Sequence, residues 1–124
     1  MQINTMKRHY PDFESYKGNE ANVYFIGKIQ PSETMPVYTI SIHFRGDNMP
    51  HVKVIDPELV IDPPHFYHDQ KCLCLYKPSN FSWSATKPIY NYIIPWAACW
   101  LYFYEVWKET GTWYGPEAEH NNNT

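Results

Sequence analysis

No apolar run in this chain reaches the roughly 18 residues that a bilayer-spanning helix requires; the longest candidate, Tyr90 to Trp107, is interrupted by Asn91, Pro95 and Glu105. A membrane is therefore not an expected partner. Lysine and arginine form no cluster and the formal charge is −3, so the chain lacks a surface that would neutralise a series of phosphates, and nucleic acid is not an expected partner either. Cysteine is scarce, with Cys72, Cys74 and Cys99 the full set. An odd count without a secretory signal at the start favours reduced thiols over a disulfide framework, which leads to the expectation of a cytoplasmic protein. There is no Gly-rich phosphate loop and no internal repeat. Any ATP-dependent step would be carried out elsewhere, and no cofactor is implied.

What is present begins with size and aromatic content. A chain of 124 residues fits one domain and can bury a core without metals or disulfides. Aromatic residues make up 18% of it and gather in its last third, where most of them should serve the core. Near the start, Tyr10, Phe13 and Tyr16 are spaced by three, a pattern that one face of a short helix uses, with Pro11 limiting where it begins. Val23 to Ile29 is β-branched and aromatic and stops at Pro31, which predicts a strand. Val37 to Arg45 alternates, with Tyr38, Ile40, Ile42 and Phe44 on the face to be buried. A turn at Gly46-Asp47-Asn48 and a third strand at His51 to Ile55 complete an antiparallel meander.

Pro63-Pro64 forces an extended approach to His65 and puts the following segment on a loop. Further on, Trp83 is read as a core or loop anchor, and Pro95 as the first residue of a helix running through Trp107 to a stop at Gly111. Its Ala97, Leu101, Tyr104 stripe and the adjoining Trp96, Trp100, Phe103, Trp107 stripe should pack on the sheet, with Cys99 as a small core filler. Residues 121–124 form an expected disordered tail.

The segment from His65 to Pro78 carries the most chemical information. Two cysteines stand between leucines, preceded by His65, Tyr67 and His68, with Lys71 and Lys77 nearby. A thiol is a nucleophile only as thiolate, so a working cysteine calls for exposure and polar or cationic neighbours. The same residues would also serve as two strand cysteines, one of them turned into a core. A structural zinc site from Cys72, Cys74, His65 and His68 is disfavoured by the absence of a second Cys-x-x-Cys pair. A redox pair of Cys72 and Cys74 is the weakest reading, because a disulfide between strand positions so close together is geometrically unfavourable.

The order of these parts resembles that of ubiquitin-conjugating enzymes: a short N-terminal segment, a meander, a proline-marked approach, a histidine followed nine positions later by a cysteine and leucine, a tryptophan, and a long helix. His65-x-Tyr67 looks like the family's His-Pro-Asn element, and Leu73-Cys74-Leu75 is similar to its hydrophobic-Cys-Leu site. A closer resemblance is to the bacterial members found beside cGAS-like nucleotidyltransferases in CBASS anti-phage operons. It is carried by His65-Phe66-Tyr67, by Leu73-Cys74-Leu75-Tyr76-Lys77-Pro78, and by the ending Trp107 with Thr110-Gly111-Thr112-Trp113, within residues 22 to 120.

The resemblance implies an α+β chain of the ubiquitin-conjugating (UBC-like) fold over residues 1–120, truncated at its C-terminus relative to eukaryotic members. It also implies a cysteine acyl transferase in which Cys74, rather than Cys72, holds the C-terminal glycine of the nucleotidyltransferase (CD-NTase) as a thioester and passes it to a target. His65 would shape the loop, and Tyr67 would donate to the thioester carbonyl. Tyr67 stands where an ordinary member has asparagine, so the oxyanion donor differs from the usual amide. The competing implication is a catalytically silent UBC-like module that binds and restrains the nucleotidyltransferase.

Overall fold

In β3 (Tyr38–Arg45) every second residue, Tyr38, Ile40, Ile42 and Phe44, is buried, as the alternation requires. The structure is a computed structural model and describes residues 2–18, 22–76 and 81–115. It is α+β: α1 (Gln2–His9), β1 (Glu14–Lys17), β2 (Asn22–Ile29), β3, β4 (Asn48–Asp56), a small hairpin of β5 (Phe66–Tyr67) and β6 (Cys72–Leu73), and α2 (Ile89–Thr110). The first four strands form one antiparallel sheet in the order β1-β2-β3-β4.

The register of β2 on β3 sets Val23 beside Phe44, Phe25 beside Ile42 and Ile29 beside Tyr38, all on the inner face. Gly27, opposite Ile40, lies directly under the Phe13 ring, so a Cβ there would strike the ring. That contact seats Phe13 in the core. The N-terminal helix lies upstream of Tyr10, Phe13 and Tyr16 rather than across them. Pro11 keeps them out of it: Phe13 joins the core and Tyr16 extends along β1. β1 is a polar edge strand, largely exposed, and lacks the apolar alternation that announces its neighbours.

The long helix also begins earlier than the proline at position 95 suggested. Ile89, Ile93, Ala97, Trp100 and Tyr104 recur at spacings of three and four and are all buried, so one apolar stripe runs through Pro95. Pro95 itself is exposed, where a missing N–H and a freed carbonyl meet solvent rather than the core. The N-cap residue Pro88 offers no side-chain bond. Its place is taken by Gln2 of α1, whose Oε1 accepts the Ile89 N–H at 3.0 Å while its Nε2 donates to the carbonyls of Ala85 and Lys87 at 3.0 and 2.8 Å. At the other end Gly111, at φ 80°, closes the helix with its N–H on the Trp107 carbonyl.

The helix packs on the sheet through Tyr38, whose hydroxyl donates to the Glu105 carboxylate and whose ring meets Tyr104 edge-on. Cys99 is not a core filler. It is exposed and shares the solvent face with Asn91, Pro95 and Tyr102, eight, four and three residues away along the helix, while the buried stripe runs through its nearer neighbours Ala97, Trp100 and Leu101. Trp83 anchors its loop as anticipated: its indole N–H donates to the Gly46 carbonyl at 3.1 Å. Among the described residues no helix is long and apolar enough to cross a membrane. The tail assigned to residues 121–124 lies outside the described residues.

Candidate functional site

The approach through Pro63 and Pro64 ends at His65, whose backbone is left-handed at φ 54°. A bulky residue holds that conformation only where its surroundings fix it. Here the His65 carbonyl accepts two bonds, from the Cys74 N–H at 3.0 Å and from the Trp100 indole N–H at 2.9 Å. The first pins Cys74 beside His65 and the second ties both to α2. The His65 ring packs against Trp113 at 5.0 Å between centroids, and Trp113 in turn rests on Trp100 and Phe103.

Between these points β5 and β6 pair Phe66 with Leu73 and Tyr67 with Cys72, and Lys71, left-handed at φ 56°, returns its N–H to the Tyr67 carbonyl at 2.7 Å. β6 lies against β4. The hairpin turns the Tyr67 hydroxyl toward Cys74, where it donates to the sulfur. His65, Tyr67 and Cys74 therefore meet in one place, His65 through its backbone and Tyr67 through its hydroxyl.

Both cysteines are buried and neither is in a disulfide, Cys72 at 1% and Cys74 at 2% exposure. The expectation of an exposed thiol is not met. Burial pushes the Cys74 thiol above its ordinary range, and the Tyr67 hydrogen bond opposes that shift by favouring the thiolate. Cys72 is pushed up to about 11, again by burial, with the charges of Lys53 and Arg45 pulling the other way. Burial and then the bond to Cys74 hold the Tyr67 hydroxyl firmly protonated.

His68 is exposed and faces Asp62 at 3.7 Å, Lys71 is exposed at the hairpin tip, and Lys77 lies outside the described residues. Two cations of the sheet, Lys53 and Arg45, act on Cys72. Among the described residues no group of three or more His, Cys, Asp or Glu is placed to hold a metal ion.

Three contributors were not legible as site residues in the sequence. Trp100 and Trp113 read as helix and post-helix aromatics, yet they hold His65 from its carbonyl and ring sides. Tyr76, two residues beyond Cys74, packs its ring against Phe81 and Trp96 and buries its hydroxyl without a hydrogen-bond partner among the described residues. The recurrence of tryptophan at 100, 107 and 113 was the available signal for the first two; the third stands in the Leu73-to-Pro78 motif, which marked its place but gave it no role.

A family model described as Type II CBASS E2 protein matches residues 2–121, nearly the whole chain and including α1, which precedes the motifs that carry the sequence resemblance. No curated protein matches it. The span of the match takes in the sheet, the thiol hairpin and the long helix together, and on that basis the chain belongs to the Type II CBASS E2 family.

Proposed function

We propose that this chain is a cysteine acyl transferase of the UBC-like fold whose nucleophile is Cys74, with Tyr67 as its hydrogen-bond donor and His65 as the residue that fixes the loop. Membership of the family points to CBASS anti-phage defence. The observation that carries the reading is the hydroxyl of Tyr67 donating to the Cys74 sulfur, on a residue whose backbone is pinned to the His65 carbonyl. A buried thiol serving only as core has no need of a donor that favours its thiolate.

In the reaction the Cys74 thiol loses its proton to solvent and its sulfur attacks the activated C-terminal carbonyl of a partner protein. The leaving group departs with the electron pair of the broken bond, and a thioester forms. An amine of the target then attacks the same carbonyl, the C–S bond breaks, Cys74 returns as thiolate and the amine gives up a proton. The partner is the cGAS-like nucleotidyltransferase, through its C-terminal glycine. Because Cys74 is 2% exposed, the acyl group reaches the sulfur only by displacing part of its cover.

That same burial favours a second reading, a catalytically silent module that binds the nucleotidyltransferase. Cys74→Ser separates the two. In a transferase the serine traps the partner as an oxygen ester, stable to thiols and cleaved by mild alkali. Partner binding with no ester and no thioester supports the module.

A further inference from the structure

We infer that the Tyr76 hydroxyl is the donor to the acyl carbonyl on Cys74, and so a further catalytic residue of the proposed transfer; this rests on the Cys74 reading above.

Buried hydroxyls in folded proteins are nearly always paired, and one that is not calls for a reason. The Tyr76 hydroxyl is buried without a partner among the described residues. Aromatic neighbours pack the ring, so its oxygen cannot easily shift to find one. Phe81 stands edge-on at 4.9 Å and Trp96 lies tilted at 5.5 Å, and Tyr92 closes behind both at 5.4 and 5.8 Å.

This caged hydroxyl lies close to the chemistry. Charge at Cys74 acts on Tyr76, and Tyr76 acts on Tyr67, so the two phenols share the neighbourhood of one sulfur. Their states differ. Tyr67 already donates to the sulfur, whereas Tyr76 holds its donor in reserve. Acylation of Cys74 brings in the one missing acceptor, a carbonyl oxygen bonded one atom away from the sulfur. As that carbonyl becomes tetrahedral its oxygen gains charge, and a fixed donor in a dry setting gains strength with it. Burial, and then the charge at Cys74, push the Tyr76 hydroxyl up to about 12, so it stays protonated at any pH at which the thiol can react.

The test uses the full chain and the 2-mercaptoethanesulfonate thioester of N-acetylglycine, carbon-13-labelled at its carbonyl. Cys74 sulfur forms the new bond to that carbonyl, mercaptoethanesulfonate leaves as thiolate, and added glycine then discharges the acyl group as an amide. In Tyr76→Phe the ring keeps its cage and the thermal midpoint is unchanged or higher, since only an unpartnered hydroxyl has gone. Loading and discharge both slow by about 10²- to 10³-fold, the usual effect of losing one oxyanion donor. The labelled carbonyl stretch moves to higher frequency in that variant. In Tyr67→Phe, which leaves Tyr76 in place, the stretch stays low.

Rates in Tyr76→Phe equal to those of the parent chain overturn the inference while leaving the Cys74 reading intact. A free-carbonyl frequency in Tyr67→Phe overturns it even if Tyr76→Phe fails to fold. A parent chain that gains no more acyl mass than Cys74→Ala overturns the transferase reading, and the role of Tyr76 with it.

Discussion

Trp100 donates its indole N–H to the carbonyl of His65 at 2.9 Å, joining the middle of α2 to a loop residue held in the left-handed region. Since the same carbonyl accepts the Cys74 N–H, the long helix positions the thiol through one shared oxygen. A side chain 35 residues beyond His65 thus sets where the cysteine sits.

Trp100→Phe tests that link. Phenylalanine keeps an aromatic ring in the core but loses the donor and some volume, with an expected destabilisation of about 1–3 kcal/mol in urea unfolding. Alkylation of Cys74 by iodoacetamide in the folded state should accelerate, because the His65 carbonyl is then held from one side only. Unchanged stability and labelling would mean that the hairpin is held by other contacts.

Tyr67→Phe should move the titration of Cys74 upward. Burial already holds this thiol above its ordinary range, and the Tyr67 hydroxyl is the group that opposes the shift. Without it the thiolate is harder to form, so the midpoint of alkylation rate against pH rises and the rate at neutral pH falls. A midpoint that stays or falls would show that the hydroxyl does not donate to the sulfur.

Cys72 makes stability depend on pH in the alkaline range. Its folded-state value of about 11 lies above the ordinary 9.0, so the stability gained from keeping it neutral is fully present below pH 9.0. That gain fades as pH rises toward about 11, because the unfolded chain releases this proton first. Cys74, Tyr67 and Tyr76 are shifted in the same direction and add to the trend. Thermal midpoints measured across this range should fall, and fall less steeply in Cys72→Ala.

Gln2→Ala should unfasten the start of α2. The substitution leaves the Ile89 N–H and the Ala85 and Lys87 carbonyls without the partner that Gln2 provides. A buried donor left unpaired costs about 1–3 kcal/mol, which urea unfolding would register. Hydrogen exchange at Ile89 and the following amides should quicken while the sheet stays protected.

The sheet was legible because its signal is local. Alternation in β3 named the buried set Tyr38, Ile40, Ile42 and Phe44, and the tight Gly46 turn named the partner strand. β1 was missed because an edge strand facing solvent carries no apolar alternation. Pro95 misled because a proline on an exposed helix face reads in sequence just like one that opens a helix; the buried run of Ile89, Ile93 and Ile94 before it was the better guide. Cys99 was misassigned for the related reason that its hydrophobic neighbours hid which face it occupies.

At the site, His65, Tyr67 and Cys74 could be picked out from motif order, but the manner of their meeting could not. The sequence does not say by which atoms His65 would shape the loop, whereas in the fold its carbonyl holds Cys74 and Trp100 while its ring packs on Trp113. It offers lysines and histidines as partners for the thiol, whereas the fold supplies a phenol. Such contacts depend on the left-handed turns at His65 and Lys71, and neither is glycine or asparagine, the residues that would have announced them.

The most direct test of the account is intact-mass spectrometry, without reducing agent, on this chain co-expressed with the cGAS-like nucleotidyltransferase. The account predicts an adduct of the partner's mass less one water, removed by thiols, kept in Cys72→Ala and lost in Cys74→Ala. A stable complex with no adduct in any variant, or an adduct that follows Cys72, would contradict it.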